Sequence, residues 1–148
     1  MQLFDSWAGI LPEASFRRLV IEPTGRIVTA LKAKYPAVPV IGFPRGAGVM
    51  IEEYTTATGV DAVALDTTVP PGWAAAHVQK LLPVQGNLDP ILVVAGGEAM
   101  AAGVDAILGA LSTGPFVFNL GHGVVQVTPP EHVGQLADLI RSWPERRK

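Results

Sequence analysis

Val38-Pro39-Val40-Ile41-Gly42-Phe43-Pro44-Arg45-Gly46-Ala47-Gly48 is the stretch on which the fold turns. Val38 to Phe43 is a continuous apolar run of strand length. Pro44 to Gly48 is a loop that opens a helix running to about Thr58, and Gly59 sits where a left-handed helix C-cap belongs. A strand apolar on both faces suits a parallel sheet covered by helices.

The same alternation extends in both directions. Upstream, Gln2-Leu3-Phe4 is strand-like and ends at Asp5-Ser6. Ala14 to Lys34 places Phe16, Leu19, Val20, Ile27, Val28 and Leu31 at helical spacing, with Pro23 and Gly25 expected to break it in two. Pro36 and Pro39 frame the connection. Downstream, Ala62 to Leu65 is a strand ending at Asp66, and Pro70-Pro71-Gly72 leads into a helix from about Trp73 to Leu81. Pro83-Val84-Gln85 is a short fourth strand, with Asn87-Leu88-Asp89-Pro90 a loop and cap. Helices follow over Ile91 to Ala95 and Glu98 to Leu111. Phe116-Val117-Phe118 is the fifth strand, and Pro129-Pro130-Glu131 opens a last helix to about Trp143. A βα unit repeated about five times argues for one α/β unit over 1–148, with a parallel sheet and right-handed crossovers.

Composition sets the limits. The chain has 148 residues, 49% of them hydrophobic and 16% charged, with a net charge of −2; mean hydropathy is +0.34. No run reaches the ~18 apolar residues of a membrane span, so the apolar surplus belongs in a core. No basic stripe suggests nucleic acid. The cluster Arg146-Arg147-Lys148 reads as a solvated tail. Absence of Cys excludes disulfides, thiolate metal sites and cysteine nucleophiles. The N-terminus lacks a signal-peptide layout, so cytoplasm is the expected compartment. Met1-Gln2-Leu3-Phe4 enters a strand with no polar lead-in, an opening expected of a chain that starts partway into an element.

The strands are apolar but end in Asp5-Ser6, Pro44-Arg45, Asp66-Thr67-Thr68, Gln85-Gly86-Asn87 and Asn119 to His122. In a parallel sheet these ends share one side, where barrels and open α/β sheets bind ligands; βα loops are also polar simply because they meet water. Asp89 before Pro90 suits a helix N-cap. Asp66 suits a loop-orienting acceptor. Arg45 beside Gly46-Ala47-Gly48 either binds an anion or is an exposed loop arginine. That glycine pair lacks the rest of a dinucleotide fingerprint. His122, between two glycines, either faces a ligand or shapes its loop. His77 and His132 read as helix surface residues. The three histidines form no metal-ligand spacing, and no Gly-x-Ser-x-Gly elbow is present.

Taken in order, Gln2-Leu3-Phe4-Asp5-Ser6-Trp7-Ala8-Gly9, Phe43-Pro44-Arg45-Gly46-Ala47, Leu65-Asp66-Thr67-Thr68-Val69-Pro70, Val84-Gln85-Gly86-Asn87-Leu88-Asp89-Pro90 and Phe118-Asn119-Leu120-Gly121-His122-Gly123 resemble the uroporphyrinogen decarboxylase family. The tail Thr128-Pro129-Pro130-Glu131-His132-Val133 fits as well. Thr67 departs from the pattern, which usually has Trp there; looser packing under that loop is the expected consequence.

The resemblance implies a (β/α)8 TIM barrel, of which this chain supplies about the last five βα units. It implies decarboxylation of the four acetate arms of uroporphyrinogen III to give coproporphyrinogen III in haem biosynthesis, without metal or cofactor. A protonated pyrrole accepts the electrons released, so the protein supplies positioning and charge stabilisation. Carried over residue by residue, Ser6 resembles the serine that meets substrate, His122 the histidine at a substrate carboxylate, and Phe4 a cleft-lining phenylalanine. Arg45 lies on a loop near the cleft mouth. The family's arginine-rich motif, its central aspartate and its cleft tyrosine match nothing here, so no catalytic residue is expected in this chain.

A complete barrel takes ~250 residues. A substrate with eight carboxylates also needs many cationic donors. The resemblance therefore points to a C-terminal fragment inactive alone, with two alternatives: a split enzyme completed by a separate N-terminal chain, or a non-catalytic protein that self-associates through exposed edges. A zinc methyltransferase of the same superfamily is disfavoured by the absence of Cys.

Overall fold

The structure is a computed structural model that describes residues 1–146, with the backbone alone for 144–146. The basic cluster Arg146-Arg147-Lys148 thus lies outside the described side chains. Among the described residues, β1 (Gln2–Asp5), β2 (Ile41–Pro44), β3 (Ala62–Ala64), β4 (Val84–Leu88) and β5 (Phe116–Leu120) form one sheet. Every neighbouring pair is parallel and the order is β1-β2-β3-β4-β5.

This order never reverses. Right-handed crossovers that always step the same way put every connecting helix on the same face. A doubly wound sheet would need a reversal, and this sheet has none, so it is built like the wall of a barrel. The pleat sorts the side chains accordingly. Val63 and Val84 face the helices and are fully buried in a core with Ile51, Tyr54, Val78, Val104 and Leu111. On the opposite face, Phe4 is 70% exposed and Val117 is 54% exposed.

The sheet is also curved. Laid flat, β1 and β4 would stand three spacings apart, ~14 Å. Yet Gln85 Nε2 donates to Gln2 Oε1 at 3.2 Å across the helix-free face. Only a sheet curling around that face brings the two amides together.

The helices are α1 (Glu13–Phe16), α2 (Glu22–Lys34), α3 (Met50–Ala57), α4 (Pro71–His77), α5 (Pro90–Ala95), α6 (Gly97–Leu111) and α7 (Pro130–Arg146). The expected break at Pro23 and Gly25 does not occur. A π-helical turn, Arg17–Ile21, joins α1 to α2 without interruption. Pro23 then falls in the first turn of α2, directly after the widened turn, where its missing N–H is tolerated.

Strand boundaries also differ from expectation. β2 begins at Ile41, not Val38, because Pro39 cannot donate to the ladder and Val38 lies in an exposed turn. β4 continues through Asn87 and Leu88, which were expected to be loop. β5 likewise runs on to Leu120, pairing Asn87 with Asn119 and Leu88 with Leu120. Gly59 (φ 73°) ends α3 as expected, and Asp89 caps α5 by accepting the Ile91 N–H at 2.9 Å.

His132 is not a plain surface residue. It is half-buried, its Nδ1 lies 2.8 Å from the Val93 carbonyl, and its ring sits against Gly96, so it docks α7 onto α5. His77 does lie at the surface, stacked on Trp73 and paired with Glu52 at 3.1 Å.

Tyr54 of α3 is 2% exposed and stands directly under Gly42, where no side chain separates it from β2. Burial pushes its phenol up to about 12; the Asp5 charge adds to this and a hydrogen bond with Thr24 opposes it. The unfolded phenol titrates near ~10. The fold therefore favours the neutral form, and that stability is intact below about pH 10 and lost as pH rises towards 12. Between these limits wild-type stability should fall more steeply with pH than that of Tyr54→Phe, by up to ~1.4 kcal/mol per pH unit. Urea titrations at pH 9, 10 and 11 read the difference, and parallel slopes would contradict it.

Candidate functional site

At the C-terminal ends of the strands, on the helix-free face, lies a cleft of about 330 Å³. Phe4, Ser6, Gln85, Asn119 and His122 line it, over a floor of Phe43 and Ala64. Each arrives by a simple local rule. Phe4 and Phe43 are register partners on β1 and β2, their rings edge-to-face with centroids 5.9 Å apart. Asp5 Oδ1 accepts the Trp7 N–H at 3.2 Å, an Asx-type turn that leads the chain out of β1 and presents Ser6. Gln85 and Asn119 occupy inward pleat positions of β4 and β5.

His122 follows the close seat of Gly121, where a Cβ would meet the Thr67 backbone nitrogen and Cγ2. The Gly121 N–H also donates to the Leu88 carbonyl at 2.8 Å, holding the loop to the end of β4. His122 Nδ1 accepts the Gly123 N–H at 2.6 Å. With Nδ1 accepting, the neutral ring carries its proton on Nε2, which is then a donor. Of the residues lining the cleft, His122 is the one that can bear positive charge, and none is acidic. The cleft combines an aromatic wall with neutral hydrogen-bonding groups and a histidine donor, a surface suited to a flat, anionic organic molecule.

The structure thus brings Phe4, Ser6 and His122 to one place. Arg45 is not part of that lining. It sits in an exposed loop whose backbone is clamped at both ends: Arg45 N–H donates to the Asp5 carbonyl at 3.0 Å, and the Gly9 N–H donates to the Arg45 carbonyl at 2.9 Å. Its guanidinium reaches the Ser6 carbonyl at 3.5 Å. The Gly46 N–H, one of the amides a bound anion would use, is already taken by Asp66 Oδ2 at 2.6 Å, and Ala47 N–H bonds the Pro44 carbonyl at 3.2 Å.

Gln2, Gln85 and Asn119 received no individual role from sequence reasoning. Their signal was the period of two: each lies on the same pleat face as Phe4 or one of its register partners. Among the described residues no group of His, Cys, Asp or Glu could hold a metal ion, and no helix is long and apolar enough to cross a membrane.

A singly wound parallel sheet with a polar cleft at its strand ends defines the class: a (β/α)-barrel wall. The sequence model of the uroporphyrinogen decarboxylase family (URO-D) matches residues 1–143. The uroporphyrinogen decarboxylase of Rhodospirillum rubrum is 56% identical over 142 residues, covering 96% of this chain and 41% of that protein. Those of Rhizorhabdus wittichii and Erythrobacter litoralis are 55% and 52% identical, covering 95% and 97% of this chain and 41% and 42% of theirs. The chain belongs to the uroporphyrinogen decarboxylase family, and it spans about 41% of the length of the curated relatives it matches.

Proposed function

We propose that this chain is the C-terminal portion of a uroporphyrinogen decarboxylase and supplies one wall of its substrate cleft. The observation that carries the reading is the convergence of Phe4, Ser6 and His122 on a single cleft of a helix-free, inward-curving sheet face. Phe4 offers an apolar surface to the tetrapyrrole. The Ser6 hydroxyl and the His122 Nε2–H donate to the substrate, His122 to a carboxylate; such charge-assisted bonds are worth ~1.5–3 kcal/mol each. In the reaction the acetate C–C bond breaks, carbon dioxide leaves, and the electron pair passes into a protonated pyrrole before the new methyl carbon takes a proton. The aspartate and arginines expected to hold the pyrrole nitrogens and the remaining carboxylates belong to the complementary part of the barrel. On this reading the chain alone has no turnover, and the rest of the barrel closes over this face.

The test mixes this chain with the remainder of the Rhodospirillum rubrum protein and measures coproporphyrinogen formation. The chain alone should give none and the mixture should turn over. His122→Ala in the mixture should lower kcat/KM by roughly 10–100-fold, the loss of one charge-assisted bond. Turnover by the chain alone would overturn the one-wall reading. A mixture indifferent to His122→Ala would remove that residue from the site.

A further inference from the structure

Ser6 and His122 sit on separate loops, and one buried side chain lies between the segments packed against those loops. Asp66 follows β3 and is 3% exposed. Its Oδ2 accepts the Gly46 N–H at 2.6 Å; its Oδ1 accepts the Thr68 N–H at 2.7 Å and the Thr68 hydroxyl at 2.5 Å. All three donors are neutral. The backbone of Asp66 is fixed independently: Asn87 Nδ2 donates to the Asp66 carbonyl at 2.8 Å and to the Val69 carbonyl at 2.7 Å. A buried carboxylate is expensive to desolvate, and Asp66 forms no ion pair among the described residues; it persists because several donors converge on it.

Those donors lead to the cleft. Gly46 has φ +75° and lies against Gly9; a Cβ on Gly46 would stand 3.2 Å from the Gly9 Cα. The Gly9 N–H holds the Arg45 carbonyl, and the segment between β1 and Gly9 carries Ser6. On the other side, Gly121 is seated on the backbone of Asp66 and Thr67, immediately before His122. We infer that Asp66 is a positioning residue, which ties the loop beside Ser6 and the loop beneath His122 to the end of β3 and so sets the spacing of the two donors across the cleft. This rests on the cleft reading proposed above and adds to it a residue that never touches the substrate.

Asp66→Asn is the sharp test, because an amide keeps one acceptor and turns the other into a donor facing the Gly46 or Thr68 N–H. Hydrogen exchange by mass spectrometry and quenching by uroporphyrin I are measured on the whole chain. The expected result for a variant with wild-type circular dichroism is roughly tenfold faster exchange in peptides covering 6–11, 44–49 and 120–124, with 100–111 unchanged, and uroporphyrin affinity weakened about tenfold. Faster exchange confined to 66–69 overturns the inference, as does unchanged affinity for uroporphyrin. Uniformly faster exchange including 100–111 also overturns it, since that marks global destabilisation.

If Asp66→Asn does not fold, Thr68→Val decides. It removes one of the three donors at nearly constant volume, and 44–49 should exchange about threefold faster along with 66–69; an effect limited to 66–69 counts against the linkage. A wild-type chain that fails to bind uroporphyrin sinks the cleft reading, while the exchange pattern still decides whether Asp66 couples the loops.

Discussion

The Gly86→Ala protein is expected to be less stable than wild type by about 3 kcal/mol, with a melting temperature lower by about 10 °C. Gly86 has φ +142°, a conformation that L side chains rarely adopt, in the middle of β4. A Cβ there would stand 2.8 Å from the Leu65 carbonyl oxygen and 3.3 Å from the Leu65 Cβ. Neither neighbour can retreat. Leu65 is completely buried, and its N–H donates to the Gln85 carbonyl at 2.7 Å, so moving β3 away would break the ladder beside the cleft. Gly109 in α6 is the control, because a Cβ there meets nothing within 4 Å. Gly109→Ala should gain up to ~1 kcal/mol from helix propensity alone. Thermal and urea melts followed by circular dichroism read both, and a Gly86→Ala melt within error of wild type would show that β4 has room the structure does not give it.

Self-association should respond as strongly to charge on the helix-free face. Phe4 and Val117 stand exposed there on β1 and β5, whose outer edges pair with no strand among the described residues. A second copy can cover this surface when no complementary chain is present. Burying a phenylalanine is worth ~1.5–3 kcal/mol, and a symmetric pair counts it twice. Phe4→Asp should therefore weaken dimerisation by at least about 100-fold, and Val117→Lys by less. Sedimentation velocity over a dilution series measures it. A wild-type chain that remains monomeric at concentrations on the order of 0.5 mM, near the weak limit of specific association, would count against the idea. The same substitution should also impair rescue by the complementary polypeptide, because both partners would use one face.

Much of the architecture could be read from the residues. The apolar runs at Val38 to Phe43, Ala62 to Leu65 and Phe116 to Phe118 each contain a strand, because each is short, continuous and followed by turn residues. Gly59 marks a helix end through a backbone conformation that other residues avoid. Polar residues inside strands were harder to place. Asn87 and Asn119 look like loop residues by composition, yet they are register partners in a parallel ladder, and Asn87 is buried because its amide serves two carbonyls of the neighbouring loop. Pro23 shows the converse. Its local preference to end a helix is real, but a π turn upstream absorbs it, and nothing in the residue types announces that turn.

Phe4, Ser6 and His122 could be named from motif resemblance, and geometry alone could gather them. The linking role of Asp66 was visible as one option for an acidic residue at a strand end. Its reach to Gly46, twenty positions earlier, depends on how β2 and β3 align and has no signature in the chain.

The unreversed strand order also bears on how this protein comes into being. Each strand finds its partner in the next strand along the chain, so a nascent chain leaving the ribosome can add one βα unit at a time to an edge that already exists. Within β1 to β5, each strand pairs with the strand that follows it in the chain. Such a layer can be lengthened, shortened or cut between units while the remaining pairs keep their register, and recombination between related genes at those joints would leave each unit's own contacts intact.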